Sequence, residues 1–94
     1  MLRIEALEID DHVLEKIESR HGVFFAEVEE ACLSDKRHVR RDREGLYKVF
    51  SQTGAGRYIL AVLVNLGGGN WRIVTAREMT SSERRLYGKA TGGR

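Results

Sequence analysis

The sequence has no proline, one cysteine and few aromatic residues, and each shortage excludes something. Without proline, repeats or a polar linker nothing divides the chain, so residues 1–94 read as one domain with a single modest core. One thiol makes no internal disulfide, and Cys32 stands at an apolar helical position, which reads as a core thiol in a reducing compartment. Long hydrophobic runs are missing too. The longest, residues 58–64 (YILAVLV), is strand-sized and far short of a membrane span. With no signal-peptide pattern either, the expectation is a cytoplasmic protein without a membrane partner. His12, His21 and His38 are not grouped at ligand spacing and no acidic cluster accompanies them, so no metal site is expected. The glycine-rich loops lack the lysine and the strand–loop–helix setting of a phosphate-binding loop. No Ser/His/Asp constellation stands out, and no cofactor is expected.

What the chain does have is charge, unevenly placed. Residues 1–35 carry three basic and ten acidic side chains, a net of −7, whereas residues 36–94 carry thirteen basic and four acidic, a net of +9. An acidic third joined to a basic remainder suits a module that turns one face to a polyanion, or two halves that fold together and neutralise each other.

Hydrophobic spacing predicts the elements. Residues 2–9 alternate apolar and charged side chains, with a slip near Ala6, and read as a short strand. Asp10 and Asp11 are N-cap residues for a helix carrying Val13, Leu14 and Ile17, and Gly22 ends it. Phe25, Val28, Ala31 and Cys32 mark the buried stripe of a second helix, with Glu27, Glu29 and Glu30 outward. From Lys36 the period changes to two, with a short edge strand to Arg40 and a clearer one over residues 46–52. A turn at residues 53–56 leads into a nearly all-apolar run, residues 58–66, that suits a central strand covered on both faces, and a glycine hairpin returns residues 71–77 antiparallel. Thr80 and Glu83 form a T-x-x-E capping box that opens a last helix, and the glycine-rich tail, residues 91–94, is expected to be frayed. The fold class is therefore α+β, a small antiparallel sheet with two N-terminal helices and one C-terminal helix.

Arginine in quantity with a few proton carriers fits metal-independent cleavage of RNA. There the substrate's 2′-hydroxyl is the nucleophile, and the protein need only move two protons and stabilise the charge on the phosphorane. Arginine suits the last duty because its planar fork gives bidentate bonds to phosphate oxygens.

Several segments in order carry a resemblance: HGV (21–23), EVEEA (27–31), GR (56–57), RIVTAREMT (72–80) and ERRLY (83–87). Together they resemble the BrnT-like ribonuclease toxins, the toxin halves of type II toxin–antitoxin operons, which share the RelE-type toxin fold. Two positions depart from that pattern, with LEID (7–10) where the family has an aromatic-acidic strand end and Phe24 where it tends to place serine. The resemblance implies a growth-inhibiting endoribonuclease, a cognate antitoxin as protein partner, and RNA (messenger RNA, free or on the ribosome) as substrate. A non-catalytic RNA- or partner-binding module of the same fold is the alternative.

The candidate catalytic residues are Arg77, Glu83, Tyr87 and His21. Arg77 ends a strand beside the last helix and suits either a phosphate or an ion pair. Glu83 is explained by its cap position or by proton transfer. Tyr87 can donate to a leaving oxygen or cover the sheet edge. His21 follows the last turn of its helix, where imidazolium complements the helix dipole or serves as a base. The candidate phosphate-binding residues are Arg57, Arg84 and Arg85, with Arg40 and Arg41 from the basic run 36–43.

Overall fold

A computed structural model describes residues 2–92. The element order is β1 (Ala6–Glu8), α1 (Asp11–His21), α2 (Phe25–Leu33), β2 (His38–Arg41), β3 (Leu46–Gln52), β4 (Tyr58–Gly67), β5 (Asn70–Glu78) and α3 (Ser81–Ala90). That is the expected succession. The five strands form one sheet in the order β1-β5-β4-β3-β2, so β4 is indeed central. The pairs among β2, β3, β4 and β5 are antiparallel, but β1 lies parallel to β5. The sheet is therefore mixed rather than wholly antiparallel. The cause is topological: the first strand is docked by its entry segment, where the Glu5 and Ala6 N–H groups donate to the Gly69 carbonyl at the β4–β5 turn.

Local chemistry sets the helix ends. Gly22 takes a φ of 63°, and the Val23 N–H closes on the Ile17 carbonyl at 3.0 Å, which stops α1 and turns the chain tightly into α2. Phe24, at the N-cap of α2, has no side-chain oxygen to offer. Glu27 compensates by accepting the Phe24 N–H at 3.0 Å, half of a capping box. The Thr80–Glu83 box of α3 is complete, with Glu83 N–H to Thr80 Oγ1 at 3.2 Å and Thr80 N–H to Glu83 Oε1 at 2.8 Å. Thr91, expected to be frayed, donates its hydroxyl to the Tyr87 carbonyl at 2.7 Å and tidies the helix end. Residues 93–94, the rest of that tail, lie outside the described residues.

The two faces of the sheet are unequally covered. Ile59, Ala61 and Leu63 of β4 point, with Val49, Trp71, Ile73 and Ala76, to the face that packs Ile17 of α1 and Val28, Ala31 and Cys32 of α2. On the other face Leu60 and Phe50 meet Met79 and Tyr87 in a small second cluster under α3. Beyond the reach of α3 that face is open and Val62 and Val64 are only half-buried, so β4 is not covered on both faces along its length, contrary to the expectation. The pairing also slips between Val62↔Thr75 and Leu63↔Ile73, leaving Val74 as an extra, exposed residue in β5. This bulge breaks the simple alternation expected of residues 71–77. It lets Trp71, Ile73 and Ala76 share the inner face, and it turns Arg77 to the α3 side.

The unequal cover yields a prediction. Leu63→Ala, at a position with no exposure, is expected to cost about 2–5 kcal/mol. Val62→Ala, one residue away on the open face, should cost about 1 kcal/mol or less. Equal losses in urea unfolding would contradict this layering.

Candidate functional site

The arginines at the strand ends are held by carboxylates. Arg57, at the start of β4, gives Nη1 to both oxygens of Glu27 (2.7 and 2.9 Å) and to the Gly22 carbonyl (3.0 Å). Its Nε and Nη2 go to Glu78 Oε2 at 3.0 and 2.7 Å. Hydrogen bonds to these two carboxylates, Glu78 before Glu27, raise its pKa. The Glu27 carboxyl is in turn held below the usual range, first by the Phe24 N–H and then by Arg57. Arg77 meets Glu83 in a parallel fork, Nη1 to Oε1 at 2.8 Å and Nη2 to Oε2 at 2.9 Å, and also reaches the Glu78 carbonyl at 3.1 Å. The Arg77 bond, followed by the Thr80 N–H, holds the Glu83 carboxyl at about 2 against the opposing cost of burial. The corner is thus one network running from Gly22 through Arg57, Glu78 and Arg77 to Thr80. Glu27 and Glu83 engage arginine through both oxygens, whereas Glu78 offers Oε2 alone.

The remaining candidates divide. His21 is the last residue of α1, beside the Gly22 that bonds Arg57, and is half-buried. Tyr87 is 4% exposed and donates its hydroxyl to the Lys36 carbonyl at 2.8 Å; burial is the first cause of its raised pKa. The phenol thus anchors α3 to the start of the β2 segment. Arg84 lies over the ring of Tyr58, its Cζ 4.2 Å from the ring centroid, and its side chain makes no hydrogen bond or ion pair among the described residues. Arg85 has one long contact, to Ser82 Oγ at 3.3 Å. Arg40 is exposed on β2, and Arg41 stacks on Tyr47 at 5.8 Å.

Two clefts flank α3 and share Lys89. One, of about 640 Å³, is lined by Lys36, Gln52, Tyr58, Arg84, Arg85, Tyr87 and Lys89 and contains no carboxylate. The other, of about 620 Å³, is lined by His38, Arg40, Arg41, Leu86 and Lys89, again without a carboxylate. Of Lys36, Lys89, Tyr58 and His38, Tyr58 and Lys89 were not singled out as site residues, and Lys36 and His38 entered as candidates only through the basic run 36–43. The first three carry a signal only when the helical period of α3 is combined with the tertiary placement of residues 36 and 58. The largest cleft, about 1150 Å³, lies elsewhere, around Leu2, Ile4, Leu33 and Trp71. Its Arg37 is engaged by the Cys32 and Leu2 carbonyls, so no free cation converges there from that side chain. Cys32 is buried, and desolvation pushes its thiol up to about 12, which removes it as a nucleophile near neutral pH. Among the described residues no group of His, Cys, Asp and Glu is placed to hold a metal, and no helix is long and apolar enough to cross a membrane.

Fold and surface together define the class, a small α+β domain with a group of cations lacking carboxylate partners on its last helix and the neighbouring edge strand. The solved ribonuclease toxin BrnT of Brucella abortus is similar to this chain, with a TM-score of 0.68 and 13% identity, covering 81% of this chain and 97% of BrnT. The fold is BrnT-like. No family model matches the sequence, and no curated protein does either.

The paired corner predicts an acid-side dependence of stability. Glu83 titrates at about 2 in the folded chain against an ordinary 4.5, so its contribution is complete above about pH 5 and is lost as the pH falls through 2. Glu83→Gln lacks that titration. Its unfolding free energy should fall less between pH 5 and pH 2 than the parent's, and parallel curves would contradict the pairing.

Proposed function

We propose that this chain is the toxin of a type II toxin–antitoxin pair, a metal-independent endoribonuclease of the cytoplasm whose RNA lies along α3 and β2. One observation carries the reading. Lys36, Arg84, Arg85 and Lys89 converge on a cleft without a carboxylate, while the acidic side chains engage the arginines at the strand ends. Cations that already have carboxylate partners gain little from a phosphate, whereas these four gain in full. Arg40 and Arg41 extend the same track along β2. The BrnT-like fold supports the toxin assignment and, with it, a cognate antitoxin as protein partner.

In this reading cleavage follows attack of the substrate's 2′-hydroxyl on the adjacent phosphorus, with loss of the 5′-oxygen. Arg77 stabilises the phosphorane only after exchanging Glu83 for a phosphate oxygen, and a freed Glu83 or His21 then moves the proton. Arg57 braces the corner through Glu78. Tyr87 supports the cleft floor and would reach a leaving oxygen only by releasing the Lys36 carbonyl.

The same geometry favours a second reading. Glu83 and Tyr87 are both engaged by protein groups, which suits a non-catalytic RNA-binding module of the same fold.

The deciding experiment is induced expression in a bacterial host, paired with purified protein and a single-stranded RNA in excess chelator. A toxin arrests growth and cuts RNA under chelation, and Arg77→Ala abolishes both. Binding to single strands should weaken with salt at a slope of roughly −0.7 per phosphate contacted. Arg85→Glu together with Lys89→Glu should flatten that slope by at least one contact. Retained binding without cleavage assigns the module reading, and absence of binding at low salt removes both.

A further inference from the structure

We infer that the cleft beside α3 contains a stacking subsite for one unpaired nucleobase, built from Tyr58 and Arg84; this rests on the RNA reading above. Tyr58 opens the central strand and is fixed there, its carbonyl accepting the Met79 N–H at 3.0 Å. The Tyr87 ring packs against it in an edge-type contact at 78°, with centroids 6.1 Å apart, and so holds the ring plane. Over the ring lies the Arg84 guanidinium at 4.2 Å. Arg37, Arg57, Arg72 and Arg77 bond to carboxylates or carbonyls. The Arg84 side chain has no such partner among the described residues, and it rests closer to a π face than Arg41 of β2 does over Tyr47, 4.2 Å against 5.8 Å.

A planar cation held only by a ring is a surface on which a second planar group can stack, or a cover that such a group displaces. Every nucleobase has the required face, and a base inside a duplex does not expose it. Lys36, Arg85 and Lys89 border the same space and can take the phosphates on either side of the stacked base. The cleft volume of about 640 Å³ falls within the ~300–1,000 Å³ typical of small-ligand sites. The subsite thus selects single strands over duplexes and tolerates sequence.

The test uses the full chain and a short 2′-O-methyl oligonucleotide carrying a single 2-aminopurine, which removes the nucleophilic hydroxyl and so prevents cleavage during binding. Single strands should bind with a change in 2-aminopurine fluorescence, and the matching duplex should not. Tyr58→Leu and Arg84→Lys should each weaken binding by about 5- to 150-fold while leaving the salt slope unchanged, and Tyr58→Phe should bind as the parent does. Arg84→Lys lies on an exposed helical position and keeps the test valid if Tyr58→Leu fails to fold. Parental affinity in Arg84→Lys, or an equal fluorescence change with the duplex, overturns the subsite and leaves the RNA reading standing. No binding of single strands at low salt overturns the RNA reading and the subsite with it.

Discussion

Arg57 is the constraint on which the rest of the arrangement depends. Apolar burial holds α1 and α2 against the sheet but is non-directional, so it does not by itself fix where the helix pair ends. The Arg57 guanidinium does so, because its fork meets Glu27 of α2, the Gly22 carbonyl at the α1–α2 turn, and Glu78 at the end of β5. Glu78 then passes the constraint on through its carbonyl to Arg77, and Arg77 passes it to Glu83 in the first turn of α3. Three helices and two strands are registered to one another through six residues.

That network explains how a chain with a net charge of only +2 keeps a basic face. The acidic N-terminal third supplies Glu27 and Glu8 to arginines of the sheet, and Glu78 and Glu83 supply the rest. The partners are drawn to the strand ends and to the β1 edge, leaving the clefts beside α3 without a carboxylate. The halves thus neutralise each other through Glu27–Arg57 and Glu8–Arg72, and a basic surface without carboxylates remains at α3 and β2. The exposed Arg84–Tyr58 stack lies on that surface and not in the paired corner.

Much of the fold was legible because each element carries its own punctuation. Gly22, the T-x-x-E box and the glycine hairpin fixed boundaries, and the apolar run of residues 58–66 fixed the central strand. Two features were not legible. A parallel β1 cannot be read from alternation, since the pattern of a strand does not encode its partner's direction. The Val74 bulge was hidden because both halves of β5 alternate correctly and only their phase differs. For the candidate site, residue type singled out Arg57, Arg77 and Glu83 but not their pairing with carboxylates, which depends on contacts as distant in sequence as Glu27 and Arg57. Tyr58 was passed over for the same reason, because only folding brings it beneath α3 beside Lys36 of the basic run.

The most direct measurement is a nuclear magnetic resonance titration of the full chain with a short single-stranded 2′-O-methyl oligonucleotide, following arginine, lysine and tyrosine side chains. The expected result is perturbation centred on Lys36, Tyr58, Arg84, Arg85 and Lys89, with the Arg57 side chain unmoved and still bonded to Glu27 and Glu78. Perturbation centred on Arg57 and Glu27, with the α3 cations silent, would contradict the division between paired and free cations.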